Sequence, residues 1–330
     1  MEFDKTLRIG STRGLEFTYE RAMRGDGGLV GALIRSGVAW HCGGMSDPFQ
    51  PCEEKYHVTR WLAEFTASHG INVLFSTKSD DLRGCEDRLD PSLHSFQLSV
   101  SNVDDRTDIE PNVPPIESRY GLYRALKDSG FRVGIRIQPF IPGISTPEIV
   151  DMFNDADHFT IEGLKLVPQN REHVTRVLEA TGLDKKMFKQ MGLLNLLPEI
   201  RLDAYGPLVE RLEYYGASYS ISDNDLHHIG TCRCCCGDSL VFGRSSGFDN
   251  TALLHDIGPG YTLDDVKGRC SPEIWGADAS SLFTSNRTEG CRTVGEFFEK
   301  RFNRPTSPFC PSYTLAEEQV RCGERDEVEW

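Results

Sequence analysis

The chain has 330 residues, 38% of them hydrophobic and 26% charged, a composition that fits a folded globular protein with one large domain or two smaller ones. With 36 basic against 50 acidic side chains the net charge is −14, which argues against non-specific affinity for nucleic acid or anionic membranes. No run of about 18 apolar residues occurs and the opening MEFDKTLRIG has no signal-like apolar core, so a cytoplasmic protein without a membrane span is expected.

The stretch from Trp40 to Glu53, WHCGGMSDPFQPCE, reads as a strand, a tight polar loop and a helix start. Gly43 and Gly44 let the backbone pass close to a ligand, while Ser46 and Asp47 leave a hydroxyl and a carboxylate at the strand's end. A plain turn uses the same residues. Glu53 to His69 then reads as one helix closed by Gly70, and 71 to 77 (INVLFST) as a buried strand. Asp80 to Arg88 suggests a short helix, Ser95 to Ser101 a strand, and Ile116 to Gly130 a helix with Leu122 and Leu126 on one face. Phe131 to Gln138 is a strand that turns Val133, Ile135 and Ile137 to one side. Pro147 to Asp155 fits a helix with proline in its first turn, and Phe159 to Val167 the next strand. A shorter helix over 206 to 216, with Pro207 near its start, leads to the strand-like ASYSIS.

This alternation predicts an α/β fold with a parallel sheet. Polar strand-end loops favour a partial or full TIM-like β/α barrel over an open sheet. Residues 1–225 form the barrel region, and 226–330 an irregular Cys-rich C-terminal region. Of eleven cysteines, eight follow residue 230, and an odd number in an unexported chain reads as thiols or metal ligands. In TCRCCCGD, 231 to 238, strand alternation puts Cys232, Cys234 and Cys236 on one face and Cys235 on the other. With Cys270, or with His227 and His228, they could hold an auxiliary iron-sulfur or zinc site; buried, redox-idle thiols are the alternative.

The pieces SDP at 46 to 48, STK at 76 to 78, SVSN at 99 to 102, EP at 110 and 111 followed by Arg119, and FRVGIRIQPFIPG from 131 to 143 agree in order and spacing with one family. Over residues 37 to 170 the chain resembles the radical S-adenosylmethionine superfamily, in its spore photoproduct lyase-like branch. The resemblance implies S-adenosylmethionine as cofactor, with Gly43, Gly44, Ser46 and Asp47 at its amino acid end. Lys78 would supply a positive charge, and Ser99 with Asn102 hydrogen bonds to its carboxylate or ribose. A zwitterionic tail needs an anion for its ammonium and donors for its carboxylate, and these residues offer both. For Asp47 and Lys78 the alternative is a solvated surface pair.

The family also carries a Cys-x3-Cys-x2-Cys loop whose thiolates hold a 4Fe-4S cluster, and residues 1 to 41 contain no cysteine. A fragment that lacks the first strand and cluster loop, or a degenerate member, would account for this; the fragment is the reading adopted. The lyase's hydrogen-donor cysteine corresponds to Gly44, with Cys42 two residues upstream, so repair of DNA photoproducts is not expected. The resemblance thus implies a radical enzyme that cleaves S-adenosylmethionine reductively, served by an electron donor such as flavodoxin or ferredoxin, and acting on an unidentified substrate. Two rivals stay open. One is an inactive barrel that binds a ligand or partner and carries a structural zinc; the other is an unrelated barrel enzyme with Asp47 and Glu162 as acid and base. His41 reads as a proton carrier or as a hydrogen-bonded core histidine.

Overall fold

Period-two alternation shapes the sheet. In the strand Arg132–Phe140, Val133, Ile135 and Ile137 are fully buried, while Arg132, Gly134 and Arg136 fall on the opposite side. Most positions of the neighbouring strands follow the same division, with Leu74 on the polar face and His94, which pairs with Thr66, on the apolar one. The computed structural model describes residues 10–26, 31, 34–35, 37, 39–44, 46–191, 193–223, 226, 229–231 and 293.

The helices are α1 (Thr12–Met23), α2 (Glu53–Tyr56), α3 (Val58–Ser68), α4 (Ile116–Asp128), α5 (Glu148–Met152), α6 (Arg171–Thr181) and α7 (Pro198–Tyr214). The strands are β1 (Trp40–Cys42), β2 (Val73–Thr77), β3 (His94–Ser99), β4 (Arg132–Phe140), β5 (Phe159–Gly163), β6 (Lys165–Leu166), β7 (Phe188–Met191), β8 (Leu193–Leu196) and β9 (Tyr219–Ile221). Six strands form one parallel sheet in the order β1-β2-β3-β4-β5-β9, and β6-β8-β7 form a small antiparallel sheet.

Strand order that follows chain order makes every crossover turn the same way, which puts the helices on one face. Phe75, Phe96, Ile135 and Ile161 accordingly meet Ala63 of α3, Tyr123 of α4, Val150 of α5 and Leu208 of α7 in one core. The sheet is an arc of a β/α barrel. A second core, around Ile141, Leu164, Val174 and Leu194, lies under α6 and the antiparallel sheet.

Four sequence expectations change. Glu53 to His69 is two helices, because His57 takes a left-handed conformation with φ 53°. The buried Glu53 carboxylate accepts hydrogen bonds from the amides of Val58 (3.1 Å) and Arg60 (3.0 Å), and so caps α3 from the preceding helix. Between Asp80 and Arg88 only Glu86–Arg88 is helical, as one 3-10 turn. The predicted strand 159 to 167 breaks at Leu164, with β5 in the parallel sheet and β6 in the antiparallel one. Helix α7 starts at Pro198, so Pro207 is internal; buried Arg201 and Tyr205 before it and Leu208 and Leu212 after it carry the helix through. The weak helical stretch near 294 to 302 lies outside the described residues. Among those residues no helix is long and apolar enough to cross a membrane.

Two buried histidines make the fold acid-sensitive. His94 accepts from the amide of Asp90 at Nδ1 (3.0 Å) and pairs with Thr66 at Nε2; His158 meets the hydroxyls of Ser218 and Ser220. Burial lowers both pKa values from 6.5 to about 4. The unfolded chain binds protons as pH falls through 6.5, whereas the folded chain holds the rings neutral until about 4. Stability is therefore complete at pH 7 and is lost across that window, by roughly 3 kcal/mol per ring. Urea unfolding at pH 7, 6, 5 and 4 should show this decline, and His158→Asn should flatten it.

Candidate functional site

The face of the sheet away from the helices is a hydrogen-bonded wall. Ser76 of β2 donates to Gln97 Oε1 of β3 (3.1 Å), and Gln97 Nε2 donates to Thr160 Oγ1 of β5 (3.0 Å). Arg136 of β4 approaches the same Oε1 at 3.4 Å and donates to Glu162 Oε2 at 2.6 Å. His41 Nε2 lies 2.7 Å from Ser76 Oγ at the edge strand. Burial of the imidazole among wall residues and then the charge of Arg136 lower the His41 pKa to about 4, while the residue as a whole is exposed at the sheet edge.

Gly43 begins the loop that follows β1. Its φ is +115°, and a Cβ there would overlap the carbonyl oxygen of Ser76, so conformation and close approach both demand glycine. Asp47 then locks the loop to the end of β2. Its Oδ1 accepts from Thr77 Oγ1 (2.6 Å) and the Phe49 amide (2.9 Å), and its Oδ2 from the Lys78 amide (2.6 Å). Three of the roughly four acceptor positions of the carboxylate are filled from within the protein. A cavity of about 400 Å³ opens beside this loop, lined by His41, Gly43, Gly44, Ser46 and Asp47 together with residues of α2 and α3.

Lys78, Ser99 and Asn102 do not line that cavity. The Lys78 ammonium is paired with Glu110, which also accepts from Ser101 Oγ. Asn102 is buried, donating to Ser101 Oγ (3.0 Å) and accepting from the amide of Arg106 (3.2 Å), so it shapes the loop after β3. Ser99 ends β3, and its carbonyl accepts from buried Arg119 (2.8 Å). These residues form a second cluster over the ends of β2 and β3, joined to the first through the Lys78 backbone.

Farther along the wall, Glu162 meets Arg136 on one oxygen and Lys165 (2.5 Å) on the other, and Asp223 lies 3.7 Å from Lys165 and 3.4 Å from Arg201. Burial works to raise the Glu162 pKa, but Lys165 and Arg136 outweigh it and hold the carboxyl below its ordinary value. Glu162 is an ion-paired carboxylate with both oxygens engaged. With both oxygens engaged, Glu162 does not suit the role of acid or base expected of it alongside Asp47.

Cys42 and Cys85 are poor thiolate candidates. Burial, followed by neighbouring carboxylates, pushes both pKa values up to about 12. No group of three His, Cys, Asp or Glu side chains suited to a metal ion occurs among the described residues. Cys232, Cys234, Cys236 and Cys270, with His227 and His228, lie outside those residues.

Sequence reasoning missed most of the wall: Ser76, Gln97, Arg136 and Thr160. The available signal was polar residues at every second strand position, opposite the apolar ones used to find the strands.

No family model matches the chain. Over 115 residues it is 25% identical to the radical SAM Nα-GlyT isomerase of Pseudomonas phage M6, a segment covering 34% of this chain and 24% of that protein. Over that segment the likeness is to a radical S-adenosylmethionine enzyme. Among solved structures, a cysteine-to-serine mutant of spore photoproduct lyase superposes with a TM-score of 0.48, at 13% identity over 63% of this chain and 66% of that one. The lyase complexed with dinucleoside spore photoproduct gives 0.44, at 15% identity over 55% and 59%. Streptococcus suis SuiB bound to precursor peptide SuiA gives 0.35, at 13% identity over 73% and 56%. Scores of this size carry no argument about this chain.

The loop geometry makes two predictions. Asp47→Ala should speed hydrogen exchange at the Phe49 and Lys78 amides by about tenfold or more while the central strands keep their protection. Gly43→Ala should lower the free energy of unfolding by about 1–3 kcal/mol in urea titrations.

Proposed function

We propose that this chain is a radical S-adenosylmethionine enzyme, or the cofactor-binding part of one, that binds S-adenosylmethionine at the carboxyl ends of β1 to β3. The observation that carries this reading is the Gly43–Asp47 loop. It is held against β2 by Asp47, it borders a cavity, and it belongs to a chain related to that enzyme class. A rigid, glycine-lined turn with backbone donors and acceptors suits a zwitterionic amino acid group. Ser46 is exposed beside it and offers a hydroxyl.

The described cysteines do not fit a 4Fe-4S cluster. Three thiols do not come together, and two of the three are held far from thiolate. In the family a 4Fe-4S cluster would supply the electron for reductive cleavage of S-adenosylmethionine, and none of the described residues of this chain would hold one. The role we assign to this chain is to bind and orient the cofactor. The polar wall from Gln97 to Glu162 is the surface we assign to substrate. Nα-GlyT, the compound in the phage relative's name, is the first substrate to assay.

Calorimetric titration of the 330-residue protein with S-adenosylmethionine tests the reading. Saturable one-to-one binding, weakened about tenfold by Gly43→Ala, is the expected result. Absence of binding would remove it. Anaerobic reconstitution with iron and sulfide, reduction, and quantification of 5′-deoxyadenosine then ask whether the chain also performs the cleavage.

A further inference from the structure

At the far end of the wall, the cations outreach the acceptors offered to them. Arg136 and Lys165 share one carboxylate, Glu162, at 2.6 and 2.5 Å. Asp223 approaches Lys165 only at 3.7 Å, because it is turned inward to the Tyr205 hydroxyl, the Gly163 amide and Arg201. The guanidinium of Arg136 carries five N–H groups. One meets Glu162, another stands a long 3.4 Å from Gln97 Oε1, and Nε is buried with no partner among the described residues. Arg88 and Arg119 also have a bare Nε, but they lie in the 3-10 turn and in α4, away from the wall. The positive groups are also the more open ones. Side-chain exposure falls from 28% at Lys165 and 15% at Arg136 to 11% at Glu162 and 2% at Asp223.

We propose that Arg136 and Lys165 form an anion site that anchors the substrate by a singly charged oxyanion, a carboxylate or a phosphodiester. The assignment rests on the reading of the polar wall as the substrate face. Two cations with one carboxylate between them are matched by one further negative charge, and a second full charge would sit against Glu162. A guanidinium with donors to spare takes an oxyanion through paired hydrogen bonds, and an ammonium adds a point charge beside it. The place suits a ligand, since Glu162 and Lys165 lie at the carboxyl end of β5, where open α/β sheets bind theirs. A chain of net charge −14 repels anions at long range, so a local pair of cations is what an anionic substrate would require of it. The charge of Arg136 also reaches the other end of the wall, where it helps to keep His41 neutral.

Proton–nitrogen spectra of the arginine-labelled 330-residue protein test this, with acetate and dimethyl phosphate as probes. The Nε–H signal of Arg136, identified by its loss in Arg136→Lys, should move saturably with one of the two anions and stay in place with chloride at equal ionic strength. Acetate as the tighter probe would name a carboxylate, and dimethyl phosphate a phosphodiester. Lys165→Met keeps the length of the stem and should weaken the binding by about tenfold or more. It also carries the test if Arg136→Lys does not fold. Shifts no larger than those in chloride, or an affinity unchanged in Lys165→Met, would overturn the proposal. The two readings fail separately. A protein that binds S-adenosylmethionine but neither anion loses this site and keeps the proposed function. One that binds an anion but not S-adenosylmethionine loses the proposed function, and with it the role of the site as a substrate anchor.

Discussion

The side chain of Gln97 is the interaction on which the polar face depends. A six-stranded parallel sheet that covers one face with helices turns its polar groups the other way, where an unmade bond costs about 1–3 kcal/mol; Ser95 Oγ and Arg136 Nε lack a partner there among the described residues, and most of the other polar groups are paired. Gln97 sits on β3, in the middle of the sheet, and reaches β2, β4 and β5 at once through Ser76, Arg136 and Thr160. Its amide has two unlike ends, so the bonds have a direction. The acceptor end gathers Ser76 and Arg136, and the donor end closes on Thr160. This polarity sets which proton His41 keeps and which flank of Arg136 faces Glu162.

A second constraint works along the loop. Asp47 joins the turn after β1 to the end of β2 by three hydrogen bonds, and Gly43 passes over the Ser76 carbonyl where a side chain would not fit. The turn is thereby formed before any ligand arrives, so little ordering entropy is left to oppose binding. Wall and loop meet at Ser76, whose hydroxyl serves the wall and whose carbonyl underlies the loop. Packing, hydrogen bonding and the shape of the cavity are thus coupled through one short residue.

Much of this was legible in the sequence. The strands at 95 to 101 and 131 to 138 announced themselves through apolar residues at every second position, that at 71 to 77 as a buried apolar segment, and the Gly-Gly-x-Ser-Asp-Pro turn through its glycines. What sequence reading lost were effects decided by partners far along the chain. His57 breaks a helix because Glu53 can cap the next one, and Pro207 sits inside α7 because packed residues on both sides hold it there. Asp47 is legible as a strand-end carboxylate, but its occupation by Thr77 and Lys78, thirty residues later, is not. Lys78 likewise reads as a charge for a ligand, while its pairing with Glu110 depends on a loop folding back over β3.

The central claim is that the cofactor is gripped where the Gly43–Asp47 loop crosses the ends of β1 and β2. Hydrogen exchange of the 330-residue protein, with and without saturating S-adenosylmethionine, tests it most directly. The account predicts added protection over residues 41–49 and 76–79, with smaller changes at 99–102 and none in α6 or the antiparallel sheet. Protection confined to α6 and that sheet, or no change in any segment at saturating ligand, would contradict it.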